Sequence, residues 1–296
     1  MRLPPSALLL ATDLSARCDR ALDRAAQLAA QWDARLVAAT VAPDERAQEI
    51  RDEVLPLPAW ARRESPPEAA RRRLRRDLDD AGLTRAEAVI AHGAPGPALL
   101  EAARAHDCGL IVLGIARNEA FQRPVVGSTI AWLARHSPLP VLVVHDRVRG
   151  AYRRLAVASD FSATAGRALE TAARLFPDAP RYALVHGADA PRLGLVDNAR
   201  SRAALGAAAA GEARAAAAAH LDGLDLGDGV RGRIECVIEP VEPVRLIDAW
   251  VAADGADLAI LGSHGRSALS DMLLGSVAQR LLDTVDIDTL IVRRQD

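Results

Sequence analysis

Short runs of apolar residues alternate along the chain with longer stretches in which apolar residues recur every three or four positions. A short apolar run is typical of a strand buried on both faces, and the longer spacing is typical of an amphipathic helix. In the first half of the chain, the pattern predicts strands at 6–11, 35–41, 86–91, 109–113 and 140–144. It predicts one helix after Ser15 and others at 68–81, 97–105 and 128–135.

The same pattern then restarts, so that the second half of the chain repeats the first. Residues 155–162 repeat residues 8–15 at an offset of 147. Two glycine positions recur at an offset of 148: Gly114 with Gly262, and Gly127 with Gly275. This period is the size of a whole domain and is too long for a solenoid repeat. A tandem duplication is therefore predicted.

The duplication predicts two domains, 1–148 and 149–296, with a boundary near residues 146–152. In the second domain, the pattern predicts a long helix at 198–221 and a last strand at 289–292. Strands that alternate with helices imply a parallel sheet with right-handed crossovers and helices on both faces. Ligands of such sheets bind beyond the carboxyl ends of the strands, where the strand order reverses.

Composition and charge narrow the classes of function. Half of the 296 residues are apolar and 26% are charged, as in a soluble globular protein. A net charge of −2 argues against general attraction to nucleic acid or anionic membranes. Apolar runs stay well below the roughly 18 residues that span a membrane, and the first is too short for a signal peptide. With three widely spaced cysteines and no disulfide framework, we expect a cytoplasmic protein.

One stretch of the second half predicts a strand, a loop and a helix start. Four apolar residues lead into Gly262, and Gly265 follows three positions later. After nine further residues, Gly275 and Ser276 open a helical pattern that Ser276 is suited to cap. Glycines let the backbone approach a ligand closely, and the unpaired N–H groups of a helix N-terminus attract phosphate. The spacing predicts an anion-binding loop; an ordinary loop whose glycines only serve turns is the alternative.

Residues 262–267 and 275–278 resemble the nucleotide-binding signature of the universal stress protein family. ATP-binding members of that family carry Gly-x2-Gly-x9-Gly-(Ser/Thr) after the fourth strand of a five-stranded α/β domain. The resemblance covers both halves and implies an α/β fold of two tandem doubly wound domains, each similar to the adenine-nucleotide alpha-hydrolases. It also implies the strand order 3-2-1-4-5, which puts the ligand crevice between strands one and four of each domain.

In the second domain, the resemblance implies that Asp160 faces the glycine loop. The matching aspartate of the family contacts the ribose or a metal, although Asp160 could merely cap the next helix. Arg266 suits bidentate contact with phosphate, His264 suits a solvated position, and His186 near the base suits a hydrogen bond or a core role. The predicted nucleotide site comprises Asp160, His186, Gly262, Ser263, His264, Gly265, Arg266, Gly275, Ser276 and Val277.

The first domain departs from the motif, because Arg117 stands at the position of the second glycine. If the backbone there needs a positive φ or close contact with phosphate, arginine costs about 1 kcal/mol or more and fills the space. Glu119 adds a negative charge to the same loop, whereas Arg117 could itself grip a phosphate. We expect a degenerate first site, which comprises Asp13, Gly114, Arg117, Gly127, Ser128 and Thr129.

The second domain departs from the family at its last strand. The family usually has a proline-bounded last strand that often pairs domains edge to edge. Residues 138–140 keep the prolines, and residues 286–288 replace them with Asp-Ile-Asp. This departure counts against pairing through the edge of the second domain. Because a linker of only about five residues cannot hold two domains far apart, an intrachain pseudo-dimer is still predicted, and a homodimer is left open.

Three functions follow as hypotheses. The first is a stress-response sensor or binding module that holds ATP or another adenine nucleotide in the second domain. The second is a nucleotide-independent interaction module whose glycine loops are relics. The third is a slow ATP hydrolase, with Mg²⁺ held by Asp160 and the nucleotide phosphates. The chain contains no lysine and shows no placed general base, so fast phosphoryl transfer is not expected.

Overall fold

The computed structural model of the protein describes residues 4–42, 64–118, 123–188, 198–253, 255–263 and 274–293. The strands are β1 (Ala7–Ala11), β2 (Arg35–Val41), β3 (Glu87–Ala91), β4 (Ile111–Gly114), β5 (Ala116–Asn118), β6 (Arg123–Val125), β7 (Val141–Val144), β8 (Arg154–Ala158), β9 (Arg181–Gly187), β10 (Ile234–Glu239), β11 (Leu258–Gly262) and β12 (Asp288–Val292). The helices are α1 (Asp19–Trp32), α2 (Pro66–Asp80), α3 (Pro95–Ala105), α4 (Ser128–His136), α5 (Ala163–Leu175), α6 (Ala199–Asp222), α7 (Asp228–Arg231), α8 (Pro243–Ala252) and α9 (Ser276–Thr284).

Ten of these strands form one sheet, and each half of the chain contributes five neighbouring strands. The first half has the order β3-β2-β1-β4-β7, and the second half has the order β10-β9-β8-β11-β12. Neighbours within each half are parallel, as expected for strands joined by crossover helices. The predicted doubly wound fold with strand order 3-2-1-4-5 is thereby confirmed in both halves.

The strand alternation divides the core between the two faces of the sheet. Leu8 and Leu10 of β1 belong to a buried cluster with residues of α1, α2, α5 and α6, which cover one face in both halves. Leu9 packs on the opposite face with residues of α3 and α4, and α8 and α9 cover that face in the second half. Because helices cover both faces of the sheet, the space left for a ligand lies at the ends of the strands. Within the described ranges, every helix is too short or too polar to cross a lipid bilayer.

The two halves join through one antiparallel strand pair, β7 with β12, which makes the sheet continuous. Leu142 lies opposite Leu290, and these two leucines are equivalent positions at the offset of 148. An approximate twofold axis therefore passes through this pair. The predicted intrachain pseudo-dimer fits this arrangement. The expectation that Asp286 and Asp288 count against pairing is wrong, because β12 begins at Asp288 and pairs with β7.

Asp288 is compatible with this buried junction because main-chain and side-chain donors surround its carboxylate. Oδ1 accepts the main-chain N–H groups of His145 at 2.7 Å and Asp146 at 3.0 Å. Oδ2 accepts the hydroxyl of Tyr152. A carboxylate can be buried where such donors replace water. Asp288 therefore ties the start of β12 to the end of β7 and to the linker, and it does not weaken the edge.

Candidate functional site

The second half has a cavity of about 320 Å³ beyond the carboxyl ends of β8, β9 and β11. Six residues of the predicted nucleotide site line it: Asp160, His186, Gly262, Gly275, Ser276 and Val277. Ser263 is buried beside them, and its carbonyl oxygen accepts the N–H of Gly275 at 2.8 Å. His264, Gly265 and Arg266 lie outside the described residues. The structure thus brings residues from four separate segments of the chain to one cavity.

A tight turn between β8 and α5 places Asp160 at this cavity. Phe161 has a left-handed backbone with φ of 60°, which costs a non-glycine residue about 1 kcal/mol or more. Ser159 Oγ accepts the N–H of Phe161 at 3.1 Å, and Asp160 Oδ1 accepts that of Ser162 at 3.0 Å. Ser162 caps α5 by accepting the N–H of Ala165 at 3.2 Å. The capping role that the sequence left open for Asp160 therefore belongs to Ser162.

The first half repeats this turn at the equivalent positions. Leu14 also has φ of 60°, and Thr12 Oγ1 accepts its N–H at 3.0 Å. Asp13 Oδ1 accepts the N–H of Ser15 at 2.9 Å. A sparsely populated backbone conformation persists only where the surrounding structure holds it, and such positions cluster at functional sites. The turn sets the aspartate in the same place in both domains.

The N-terminus of α9 forms the part of the cavity that suits an anion. Gly275 is the N-cap residue, and Gln279 N–H donates the first hydrogen bond of the helix to Gly275 O at 2.9 Å. The sequence had placed Ser276 at the cap; it is instead the first residue of the helix. The N–H groups of residues 276–278 precede this first bond, and the helix dipole adds positive potential at them. They are the donors that a phosphate group would need.

His186 lines the cavity from the end of β9 with a defined ring orientation. Its Nδ1 lies 2.7 Å from the carbonyl oxygen of Ser159. A carbonyl oxygen only accepts hydrogen bonds, so Nδ1 carries the proton and Nε2 of the neutral ring is an acceptor. The ring of Phe161 packs against the imidazole, with centroids 4.3 Å apart. Of the two roles left open for His186, this geometry favours hydrogen bonding.

Sequence reasoning missed residues that shape the wall of this cavity. Gly187 follows His186 directly, and a Cβ there would lie 2.4 Å from the carbonyl oxygen of Val241 and 2.7 Å from the backbone of Pro243. Glycine is therefore required for the start of α8 to approach the end of β9. The signal in the sequence was a glycine at the end of a buried strand. Ile247 also lines the cavity, but its apolar spacing in α8 could only predict a core position.

The first half has a cavity of about 380 Å³ in the equivalent place. Five residues of the predicted first site line it: Asp13, Gly114, Gly127, Ser128 and Thr129. Arg117 lies in β5, which forms an antiparallel hairpin with β6 that the sequence did not predict. In the part of the chain that the structure describes, positive φ outside glycine occurs at other positions than Arg117. The condition of a positive φ is therefore not met at Arg117, and whether its side chain fills the space of a phosphate stays a prediction.

The surroundings of the aspartate distinguish the two cavities. In the first half, Arg17 Nη2 lies 3.2 Å from Asp13 Oδ2. Partial burial alone would raise the pKa of Asp13, but hydrogen bonds from Ser15 and the charge of Arg17 hold that pKa below its ordinary value. Four positions after Asp160 stands Thr164, which is buried. The first aspartate thus has an arginine of its own chain as a partner, and the second domain has threonine at the position equivalent to that arginine.

The described residues around Asp160 determine which ligands a metal ion would find at this site. Over the described residues, no group of three His, Cys, Asp or Glu side chains is placed to hold a metal ion. Mg²⁺ is commonly held by one or two carboxylates together with substrate phosphates. A metal beside Asp160 would therefore depend on the bound molecule for further ligands.

The family model described as the universal stress protein family matches the chain twice, at residues 6–145 and 151–293. The two matches cover nearly the whole chain and coincide with the two halves of the sheet. The chain therefore belongs to the universal stress protein family, as a tandem member with two domains. No curated protein sequence matches it significantly.

Two of the solved structures that resemble this chain share its fold over nearly the full length. A universal stress protein from Archaeoglobus fulgidus DSM 4304 is 19% identical, with a TM-score of 0.60 over 98% of this chain and 99% of that chain. A functionally unknown protein from Pseudomonas aeruginosa PAO1 is 17% identical, with a TM-score of 0.61 over 98% and 92%. A universal stress protein in complex with cAMP is 30% identical over 48% of this chain and 98% of that chain, with a TM-score of 0.34.

Proposed function

We propose that the second domain binds ATP or a related adenine nucleotide, and that the protein acts as a sensor or binding module of the stress response. The observation that carries this proposal is the meeting of Asp160, the end of β11 at Gly262 and the N-terminus of α9 in one cavity. Its volume of about 320 Å³ lies within the range of about 300–1,000 Å³ that is common for small-molecule sites. The spacing of the three motif glycines supports the same class of ligand.

Each part of the cavity suits a different group of a nucleotide. The N–H groups of Ser276 and Val277 suit phosphate oxygens, because they lie at the positive end of α9. The carboxylate of Asp160 suits the donor hydroxyls of a ribose, or Mg²⁺ that the phosphates also bind. The Nε2 acceptor of His186 suits an amino group on the base, and Ile247 supplies apolar surface beside it.

The same arrangement favours binding over rapid turnover. Phosphoryl transfer depends on positioned cations and on groups that stabilise the charge of the transition state. The chain has no lysine, and Nδ1 of His186 is already bonded to Ser159. Slow hydrolysis, with Mg²⁺ held by Asp160 and the phosphates, is the alternative within this proposal. Steady release of inorganic phosphate by the pure protein would favour it.

Two measurements on the full-length protein test the proposal. Ligand released by denaturing the purified protein is identified by mass spectrometry, and ATP, ADP and AMP are titrated by calorimetry. We expect an adenine nucleotide in the first measurement and saturable binding in the second, weakened by Asp160→Ala and unchanged by the matched Asp13→Ala. Absence of saturable binding for all three nucleotides would contradict the proposal and favour the nucleotide-independent interaction module.

A further inference from the structure

A larger cavity of about 590 Å³, here named the junction groove, lies on the α5 side of the sheet where the two halves meet. Buried Pro140 and Thr171 lie at its base, and the partly exposed Arg167, Arg174 and Arg293 also line it. It shares no lining residue with the nucleotide cavity. The junction groove is therefore separate from the site of the proposed function.

The approximate twofold axis relates the junction groove to the buried cluster around Asp288. Four of its lining residues have counterparts there at the offsets of 147 and 148: Arg167 with Arg20, Thr171 with Arg24, Pro140 with Asp288, and Arg293 with His145. The two places lie at opposite ends of the β7–β12 pair, because these strands are antiparallel. What occupies the cluster therefore indicates what the groove is shaped to accept.

In the cluster, the linker between the two domains fills the space. Arg20 Nη1 donates a hydrogen bond to the carbonyl oxygen of His145 at 2.7 Å, and Arg24 Nη1 donates to that of Gly150 at 2.8 Å. Tyr152 packs into the same space with 5% of its surface exposed, and the guanidinium of Arg24 lies 4.1 Å from its ring centroid. The cluster is thus a seat for a non-helical chain segment, held through its carbonyl groups and one aromatic ring.

The junction groove repeats this seat with smaller and uncharged residues at its base. Thr171 and Pro140 stand where the cluster has Arg24 and Asp288, so they leave space and form no ion pair. Arg167 is also without the partner that Arg20 has, since it forms no hydrogen bond or ion pair with any residue that the structure describes. A guanidinium in this position is available to receive carbonyl or carboxylate oxygens.

The charges around the groove indicate the kind of segment that it accepts. Three arginines line the groove together with two carboxylates, those of Glu170 and Asp225, and Arg293 Nη1 already donates a hydrogen bond to the carbonyl oxygen of His136 at 3.2 Å. Glu170 Oε1 already accepts the main-chain N–H of Asp225 at 3.1 Å. Complementary charge favours an acidic occupant over a basic one. We propose that the junction groove binds an extended acidic segment of a partner protein, whose carbonyl and carboxylate oxygens are received by Arg167.

The linker supplies the probe for a test. A fluorescent nine-residue peptide copies residues 145–153, with its three arginines replaced by glutamate. Fluorescence anisotropy with the full-length protein at low salt is expected to show saturable binding. Arg167→Glu should weaken it about tenfold or more, because an attractive charge becomes repulsive. The double variant Pro140→Asp with Thr171→Arg rebuilds the ion pair of the cluster inside the groove, so it should also weaken binding by filling the space.

Matched controls separate this site from general attraction between charges. Arg73→Glu makes the same charge change on the exposed surface of α2 and should bind the peptide as the wild type does. Circular dichroism and nucleotide titration should be unchanged by Arg167→Glu, which distinguishes loss of the groove from loss of the fold or of the nucleotide site. Absence of saturable binding, or equal weakening by Arg73→Glu and Arg167→Glu, would overturn the proposal. Binding that appears only after deletion of residues 294–296 would overturn it in favour of the chain's own end as the occupant.

Discussion

Arg24 and Asp288, 264 residues apart in the sequence, form an ion pair with 3.2 Å between Nε and Oδ2. Their side chains are only 5% and 1% exposed. The pair connects α1 of the first domain to the first residue of β12 in the second. Because Asp288 also accepts two main-chain N–H groups, the remaining oxygen lone pairs of this buried carboxylate are used by protein donors. The junction between the domains is therefore polar at one end of the β7–β12 pair.

Asp288→Asn is expected to lower the free energy of unfolding by about 3–5 kcal/mol, because it leaves the buried charge of Arg24 without a partner. Urea denaturation followed by circular dichroism measures this change. The matched control is Glu235→Gln in the pair Arg181–Glu235, whose side chains are 43% and 40% exposed, and it should cost about 1 kcal/mol or less. Arg24→Met should recover part of the loss in Asp288→Asn. Equal effects of Asp288→Asn and Glu235→Gln would contradict this account.

The apolar pattern predicted the strands that the first half contributes to the large sheet, and the family resemblance implied their order, but neither predicted this junction. The strand around Leu9 is buried on both faces of the sheet. Such a strand is a nearly continuous run of apolar residues, and this run is visible in the sequence. In the sequence, Asp288 could be interpreted only as a departure from a proline-bounded edge. Its role depends on partners in α1, at the end of β7 and in the linker, which are distant in the sequence. Contacts between residues so far apart have no local signal. The hairpin of β5 and β6 was also missed, since strands of three residues carry too short a pattern to detect.

The two tyrosines of the chain predict a loss of stability at high pH. Burial raises the pKa of Tyr182 to about 12, and burial together with the charge of Asp288 raises that of Tyr152 well above its ordinary value. An unfolded tyrosine loses its proton near pH 10, whereas the two folded tyrosines keep theirs to higher pH. Their contribution to the free energy of unfolding is therefore fully present below about pH 10 and declines above it. Between pH 9 and pH 11, Tyr182 alone should account for a decrease of about 1.4 kcal/mol in the free energy of unfolding.

Urea denaturation of the wild type and of Tyr182→Phe at both pH values measures this contribution. With no lysine in the chain, the tyrosines and three cysteines are the side chains that titrate in this window, so the difference between the two proteins isolates Tyr182. Phenylalanine keeps the ring in the core, although it loses the hydrogen bond to the carbonyl oxygen of Phe176. The decrease should be smaller in the variant. An identical decrease in both proteins would show that Tyr182 does not titrate differently on unfolding.

His186 predicts a preference for adenine over guanine. We expect Nε2 to accept a hydrogen bond from the 6-amino group of adenine. Guanine has a carbonyl oxygen at that position, so two acceptors would face each other and guanine would bind less well. His186→Phe keeps a ring against Phe161 and removes both nitrogens. Loss of one hydrogen bond, worth about 0.5–1.5 kcal/mol, should weaken ATP binding up to about tenfold and reduce the ratio of ATP to GTP affinity. Calorimetry with both nucleotides measures this ratio, and an unchanged ratio would refute the role of Nε2.

The parts of the site that the sequence could predict are those set by the ends of strands and the starts of helices. Gly262, Gly275 and Asp160 lie at one cavity because strand ends and helix starts meet at the same edge of a parallel sheet. The left-handed turns at Leu14 and Phe161 were not predictable, since neither residue favours positive φ and the hydroxyl groups that hold the turn are common in any loop. Gly187 was missed for a similar reason. Its necessity arises from the close approach of Val241 and Pro243, which only the folded chain brings about.

Gly275→Val tests whether the N-terminus of α9 holds phosphate. The backbone of Gly275 has φ of −58°, which valine can adopt, so the change should act through the branched side chain at the helix start. Loss of two or three hydrogen bonds to a charged phosphate, at about 1.5–3 kcal/mol each, should weaken nucleotide binding by roughly two or more orders of magnitude. Gly127→Val is the matched control in the first domain, where a Cβ would meet nothing within 4 Å. Equal loss in both variants, measured by calorimetry, would contradict a single intact site.

The last prediction concerns the difference between the two domains. Gly265→Arg imports the residue of the first motif into the second, and it should abolish most nucleotide binding if that glycine allows phosphate to approach. Arg117→Gly makes the reverse change, and we expect only partial recovery of a second site. Glu119 remains in that loop, and Arg17 remains paired with Asp13 at 3.2 Å.

The triple variant Arg117→Gly, Glu119→Ala and Arg17→Thr removes these obstacles together, with threonine matching Thr164 of the second domain. Calorimetric stoichiometry on the full chain distinguishes the outcomes. We expect one nucleotide per chain in the wild type, close to none in Gly265→Arg, and more than one in the triple variant. Two equivalents in the wild type would show that the first site is intact. One equivalent that survives Gly265→Arg and disappears in Asp13→Ala would assign the site to the first domain, because Asp13 then holds the ligand that Asp160 is proposed to hold.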